Sequence, residues 1–209
     1  DMVAADARGI DPRRLPSFID NHDVDRWLAV SGEPAMKQAL LAMMTLPGIP
    51  VLYYGTEQGL VAQRASMFAA GWGSGGRERF DTAAPLFRYT QAVVALRKAN
   101  RGFSRALPQV LQASGAGPGV LAWRTDHEGQ ARLVVFNTAD EPRFVDNLDV
   151  GQAAGGARGE VHAVKGCTAP VSSAAAGCWC NRSTSGCRDH IHPALAASKA
   201  AANATSSLS

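Results

Sequence analysis

Three consecutive polar residues, Asn21, His22 and Asp23, follow directly on an apolar run in the segment FIDNHD at residues 18–23. An amide, an imidazole and a carboxylate are poor core material, because a buried polar group costs free energy unless it finds a partner. Together they can donate and accept several hydrogen bonds, and the carboxylate can favour a nearby positive charge. A second stretch of this kind is GIPVLYYGTE at residues 48–57, an apolar run ending in a glycine and the carboxylate of Glu57. Two readings of the polar triplet are open on these residues alone. One is a site at the carboxyl end of a strand, where parallel-strand enzymes place their chemistry. The other is a turn, with Asn and Asp serving local hydrogen bonds to the backbone.

The elements that must position these groups are legible around them. Residues 15–20 read as a short buried strand. Residues 32–45 have helical period, with Met36, Leu40, Met43 and Met44 on one face, and Pro47–Gly48 stops that helix. Strand, helix and strand in this order form most simply a right-handed parallel crossover, which aims Asp23 and Glu57 at the same rim. Asp25 and Arg26, just past the triplet, would contact a ligand at that rim, pair with other rim charges or cap the next helix. A long segment rich in Gly and Arg, residues 58–83, then follows. Loops of that length in compact domains are functional or disordered. Residues 85–98 predict a second helix, begun by Pro85 and carrying Leu86, Tyr89, Val93 and Leu96 as its buried stripe. Arg97 and Lys98 suit its carboxyl end. Beyond it the period changes to alternation, with short β-rich runs at 109–113, 120–125 and 132–137, joined through 115–119 and 127–129.

Bulk properties narrow the class. The 209 residues are 46% apolar and 19% charged, as in a globular protein of one medium or two small domains. A net charge of +3 argues for neither nucleic acid nor membrane as a partner. No run approaches the roughly 20 apolar residues of a membrane span. The first residues lack the apolar core of a secretory signal, so the sequence is expected to begin within a longer one, and localisation stays undetermined.

The two motifs together resemble the α-amylase family of glycoside hydrolases and transglycosylases. FIDNHD is similar to that family's motif after the seventh barrel strand, and GIPVLYYGTE to its eighth-strand motif, G-x-P-x-x-x-Y-G-x-E. The resemblance implies an α/β fold: a partial TIM (β/α)8 barrel, its last two β/α units, followed by a partial antiparallel β domain. On this reading residues 1–100 close the barrel and 101–150 begin the small β domain. Asp23 is then the carboxylate that stabilises the oxocarbenium-like transition state of a retaining reaction, and His22 binds hydroxyls of the same sugar. Asn21 either braces the strand end or joins Arg26 in touching substrate, while Glu57 and Tyr54 are structural or lie just behind the contacts. The implied partner is an α-glucan or oligosaccharide, starch-like or of sucrose type. Phe68, Trp72 and Phe80 would stack on sugar rings or pin the long loop; Arg77 and Arg79 would bind hydroxyls or pair with rim carboxylates.

The family's nucleophilic Asp and acid Glu sit on earlier strands, and nothing before Phe18 matches their motifs. A full barrel takes roughly 250 residues. The chain alone is therefore expected to be inactive and, with open strand edges, poorly soluble or only partly ordered. No cofactor is expected in this segment, nor a metal ligand set; calcium is common in the family, with ligands elsewhere. A non-enzymatic relative, such as a transporter-associated subunit, and an isolated carbohydrate-binding fragment are the other readings. The NHD triplet argues against the first, and upstream strands ending in an Asp beside an Arg, and in a Glu, would decide it.

From residue 151 onward Ala, Ser and Gly dominate, and Trp179 is the one aromatic residue. Cys167, Cys178, Cys180 and Cys187 fall here, with His162, His190 and His192. C-x-C spacing is weak for structural zinc, and disulfides would need an oxidising compartment. The Asn181 and Asn203 sequons are short enough to arise by chance. This segment is expected to be disordered and, from its composition, the product of a reading-frame change.

Overall fold

The computed structural model describes residues 8–141 and 143, and the backbone of 171–172 and 175–176. The expectations for Cys167 to Cys187, the three histidines and both sequons lie outside the described residues. The chain divides into two compact units, Asp1–Gln109 with Arg124–Arg132, and Val110–Trp123 with Leu133–Ser209.

In the first unit a 3-10 turn, Pro12–Arg14, leads into β1 (Pro16–Ser17), and a short α1 (Trp27–Val30) precedes α2 (Glu33–Thr45). Then come β2 (Ile49–Pro50), the long loop, α3 (Pro85–Ala99) and a short α4 (Gly102–Arg105). β1 and β2 pair in parallel, Pro16 opposite Ile49 and Ser17 opposite Pro50. The expected crossover is present, but both strands are much shorter than the apolar runs suggest. Hydrogen bonds from Ile49 N–H to Leu15 O (2.8 Å) and from Val51 N–H to Ser17 O (2.7 Å) hold the two strands side by side. The flanking apolar residues Phe18, Ile49, Val51 and Leu52 are exposed rather than buried, Phe18 by 51%.

The helices follow their sequence pattern closely. α2 begins at Glu33–Pro34, a proline in the first turn and an acid near the positive helix end. Met36, Leu40, Met43 and Met44 are all buried, as their spacing requires. Lys37 Nζ lies 2.6 Å from Glu33 Oε1 one turn earlier, on the solvent side. α3 buries Leu86, Tyr89, Thr90 and Val93; Leu96 is half-buried. Two side chains of α3 tie it to α2. The Tyr89 hydroxyl donates to Lys37 O at 2.7 Å, and burial pushes this phenol far above its ordinary pKa. Arg97 donates to Met44 O, Leu46 O and Gly48 O at 2.7–2.9 Å, closing the carbonyls that α2 leaves open. Gly48 has φ 107, and a Cβ there would meet Leu15 O at 2.7 Å, so only glycine lets the end of α2 rest on β1.

The small β expectation also holds in outline. β3 (Gln109–Ala113), β4 (Val120–His127) and β5 (Gln130–Asn137) form a sheet in the order β3-β4-β5. Glu128 (φ 50) and Gly129 (φ 74) make the two-residue turn between β4 and β5, whose left-handed pair suits strand twist. In the second unit Trp123 and Phe136 pack at 5.1 Å and both are buried, core rather than sugar platform. The alternation of β4 is less clean than its sequence: Val120, Ala122, Trp123 and Thr125 are all buried. β6 (Val171–Ser172) and β7 (Ala175–Ala176) pair antiparallel.

Because Arg97 satisfies three carbonyls at once, Arg97→Met should lower the unfolding free energy by about 2–3 kcal/mol. Urea denaturation followed by far-UV circular dichroism measures this, with Arg88→Met on the exposed face of α3 expected to change little.

Candidate functional site

The triplet turn is built by its own first residue. Asn21 Oδ1 accepts from the N–H of Asp23 (2.7 Å) and of Val24 (3.2 Å), an Asx turn that folds the backbone over as β1 leaves the sheet. The amide is therefore engaged locally, while His22 and Asp23 project outward with about two thirds of each side chain exposed. His22 Nε2 lies 3.2 Å from Asp23 Oδ2. Arg64, from the long loop, donates through Nε to His22 O at 3.0 Å and places Nη2 3.7 Å from Asp23 Oδ1. Asp23 thus faces an imidazole and a guanidinium.

Beneath the turn lies a buried polar cluster. Arg26 has 0% and Asp20 2% of its surface exposed. Arg26 Nη2 donates to Tyr54 O at 2.7 Å, Nη1 to Thr56 Oγ1 at 3.3 Å, and Nη1 lies 3.9 Å from Asp20 Oδ1. Thr56 Oγ1 donates in turn to Asp20 Oδ1 at 3.0 Å, and Trp27 N–H to Asp20 Oδ2 at 3.2 Å. The Arg26 guanidinium stacks 3.9 Å from the Tyr53 ring centre and 5.1 Å from that of Tyr54. The Tyr53 ring stands 6.4 Å from His22. Lost hydration, and next a hydrogen bond with Tyr54, raise the Tyr53 phenol above its ordinary pKa.

The structure thus places the sequence-derived candidates unequally. Asn21, His22 and Asp23 form one exposed turn, and Tyr54 (41% exposed) lies close by, linked through its carbonyl to Arg26. Arg26, offered as a rim contact, a partner for other charges or a helix cap, is enclosed: Asp20, Tyr54 and Thr56 meet its charge and its two Nη groups, while its buried Nε has no hydrogen-bond partner. Glu57 follows β2 but lines a groove along α3 with Phe87, Thr90, Gln91, Val94, Ala95 and Lys98, not the triplet turn. Asp25 and Arg77 are exposed. Arg79 is half-buried, with its Nε lacking a hydrogen-bond partner.

The long loop is closely held. Gln58 and Asp81 exchange two hydrogen bonds of 3.0 and 3.1 Å, Ser66 N–H meets Trp72 O, and Arg79 N–H meets Met67 O. Phe68 and Phe80 pack at 4.9 Å while remaining exposed, and Trp72 is 79% exposed. Arg64 was not legible as a site residue, since one arginine among several in a polar loop carries no spacing signal. Among the described residues no group of three or more His, Cys, Asp or Glu could hold a metal ion. No helix among them is long and apolar enough to cross a membrane.

Comparison with known proteins fits this arrangement. No family model matches the chain. A cyclomaltodextrin glucanotransferase of Paenibacillus macerans is 40% identical over 92 residues, 41% of this chain and 12% of that protein. A cyclomaltodextrinase of Thermoanaerobacter pseudethanolicus is 26% identical over 140 residues, 64% of this chain and 22% of that protein. Among solved structures, the γ-cyclodextrin glucanotransferase of alkalophilic Bacillus clarkii superimposes with a TM-score of 0.55 at 24% identity, over 71% of this chain and 21% of that one. Over these segments the chain is similar to enzymes named cyclomaltodextrin glucanotransferase, α-amylase and cyclomaltodextrinase. It spans about a tenth to a fifth of the length of these curated relatives.

Breaking the buried cluster on one side should be costly. Arg26→Met strands the Asp20 charge and is expected to cost about 3–5 kcal/mol of stability, part of which the double variant Asp20→Asn/Arg26→Met recovers. Paired denaturant titrations measure both, and a double variant no better than the single one would show that the two groups are not coupled.

Proposed function

We propose that this segment belongs to a retaining enzyme that hydrolyses or transfers α-glucosidic bonds, and that it supplies the carboxylate which stabilises the transition state. The observation that carries this reading is Asp23, held on an Asx turn at the carboxyl end of a parallel strand, exposed, with an imidazole and a guanidinium beside it. Glycosidic cleavage passes through a sugar whose ring oxygen and anomeric carbon share a positive charge. A fixed carboxylate at the ring favours that charge, and it grips neighbouring hydroxyls more tightly as the ring flattens. His22 donates or accepts at the same sugar's hydroxyls, in either protonation state. Asn21 shapes the turn, Arg26 and Tyr54 fix its base, and Glu57 supports the strand end from the side of α3.

In this reading β1 and β2 are neighbouring staves of a (β/α)8 barrel, residues 1–100 end that barrel, and 101–150 begin a small β domain. The nucleophile and the acid are assigned to other staves. The substrates are starch-like or cyclic α-glucans, or sucrose-type sugars, in keeping with the relatives' names. Calcium, where the intact enzyme holds it, is assigned to ligands outside these residues.

A chimera tests the reading. The matching segment of the Paenibacillus macerans glucanotransferase is replaced with residues 15–100 of this chain. The chimera should keep glucan-transferring activity, and Asp23→Asn within it should lower kcat by roughly 10²–10³-fold. A folded, active chimera indifferent to Asp23→Asn would sink the assignment.

A second reading, sugar binding without catalysis, is favoured by the exposure of Trp72 and of the Phe68–Phe80 pair, all on the long loop. Flat exposed rings suit the C–H faces of pyranoses. Maltohexaose at millimolar concentration should then quench the chain's tryptophan fluorescence, with the quench abolished in Trp72→Ala. No saturable change in the parent chain retires this reading.

A further inference from the structure

At the amino ends of β1 and β2, away from Asp23, lies an open cavity of about 400 Å³ lined by Asp11, Arg13, Arg14, Gly48, Ser104 and Arg105. We propose that this cavity binds a phosphoryl dianion, as free phosphate or as the head of a small phosphomonoester. Neither the family likeness nor the Asp23 site bears on it, and it stands independently of the proposed catalytic reading.

Charge is the first ground. Three arginines and a single aspartate line the cavity, a surplus of two positive charges among the lining residues. That carboxylate is already engaged: Asp11 Oδ1 accepts from Arg13 Nε at 2.7 Å and from Arg13 N–H at 3.0 Å. The side-chain hydrogen bond from Arg13 leads the effects that hold the Asp11 carboxyl below its usual pKa; the charge of Arg14 adds a smaller pull in the same direction, without a hydrogen bond. Arg14 and Arg105 have no carboxylate partner among the described residues. Behind the cavity floor, Arg97 donates to Gly48 O, and its other bonds also go to carbonyls, so its charge too is uncompensated there.

Shape is the second ground. The 3-10 turn that carries Arg13 and Arg14 is fixed by the Asp11 cap and by Arg14 N–H to Asp11 O at 3.0 Å. Glycine at position 48 lets that turn sit directly against the start of β2, so the arginines are presented over a floor of backbone. Arg105 closes α4 on the far side, where Ser104 Oγ is already committed as donor to Arg101 O at 3.0 Å. The ligand is therefore held by the guanidinium forks and not by the hydroxyl.

The ligand class follows from these donors. One carboxylate satisfies one fork with its two oxygens. A phosphoryl group offers three terminal oxygens and nearly two negative charges, enough for forks from both sides of the cavity. The cavity lies within the roughly 300–1,000 Å³ range of small-molecule pockets, leaving room for an organic group on the phosphate.

Isothermal titration of the full 209-residue chain with inorganic phosphate, and separately with glycerol phosphate, tests this at constant ionic strength. Saturable binding at one site is expected, weakened about tenfold or more by Arg14→Gln and likewise by Arg105→Gln, and unchanged by Arg77→Gln in the long loop. Arg105→Lys, which keeps the charge but loses the fork, should fall between. Circular dichroism spectra matching the parent show that the variants stay folded. Tighter binding of glycerol phosphate identifies an ester ligand, and equal binding a free phosphate. No saturable heat with either probe at millimolar concentration, or affinity unchanged in Arg14→Gln and Arg105→Gln, overturns the proposal.

Discussion

An enclosed guanidinium sets the terms for the Asp23 site. Arg26 leaves water with its Nε unpartnered, so its charge and its Nη donors have to be met, and the groups that meet them come from both motifs. Asp20 belongs to the first, while the Tyr54 carbonyl and the Thr56 hydroxyl belong to the second. Burying Arg26 therefore requires the carboxyl ends of β1 and β2 to come together. The positions matter as much as the partners: Asp20 and Arg26 flank the Asn21–Asp23 triplet on either side. A turn clamped at both of its ends, with Asn21 tying its middle, has little freedom left to move the Asp23 carboxylate.

The ladder between β1 and β2 is two residues long, too short to fix a strand pair by itself. A second arginine provides the corresponding bracket at the other end, where Arg97 gathers the last carbonyls of α2 and that of Gly48. One guanidinium thus fastens the beginning of the pair and another its end. Both use charge-assisted hydrogen bonds, stronger than the neutral bonds of the ladder. The apolar residues along the same strands, Phe18, Ile49, Val51 and Leu52, are exposed and contribute nothing comparable. Polar brackets thus carry a larger share of the register than the apolar run suggests.

Much of this architecture was legible in the sequence, and the exceptions share a cause. The period of Met36, Leu40, Met43 and Met44 marked α2 and its buried face, and Pro85 with Leu86, Tyr89 and Val93 did the same for α3. Those signals are local, a stripe on one element against whatever it packs on. Arg26 and Arg64 were not legible in this way, because an arginine's environment is decided by groups distant in sequence: Thr56 is 30 residues from Arg26, and His22 is 42 from Arg64. Asp20 hid inside an apparently apolar run, though its buried carboxylate is what makes the Arg26 position possible. Arg97 read as a favourable charge at a helix end and proved to be a clamp on three specific carbonyls. The strand lengths misled for another reason: an apolar run announces burial, but Phe18, Val51 and Leu52, past the two-residue ladder, are exposed.

In the proposed catalytic reading, the central claim is that the clamp holds Asp23 where a sugar ring would place its developing charge. A crystal structure of a polypeptide that contains this segment, solved with a bound maltooligosaccharide, tests that claim most directly. The account predicts Asp23 and His22 within hydrogen-bond distance of hydroxyls on one glucosyl ring, with Arg26 buried beneath and touching no sugar. A ring bound elsewhere on the molecule, or held by Arg26 while Asp23 faces open solvent, would contradict it.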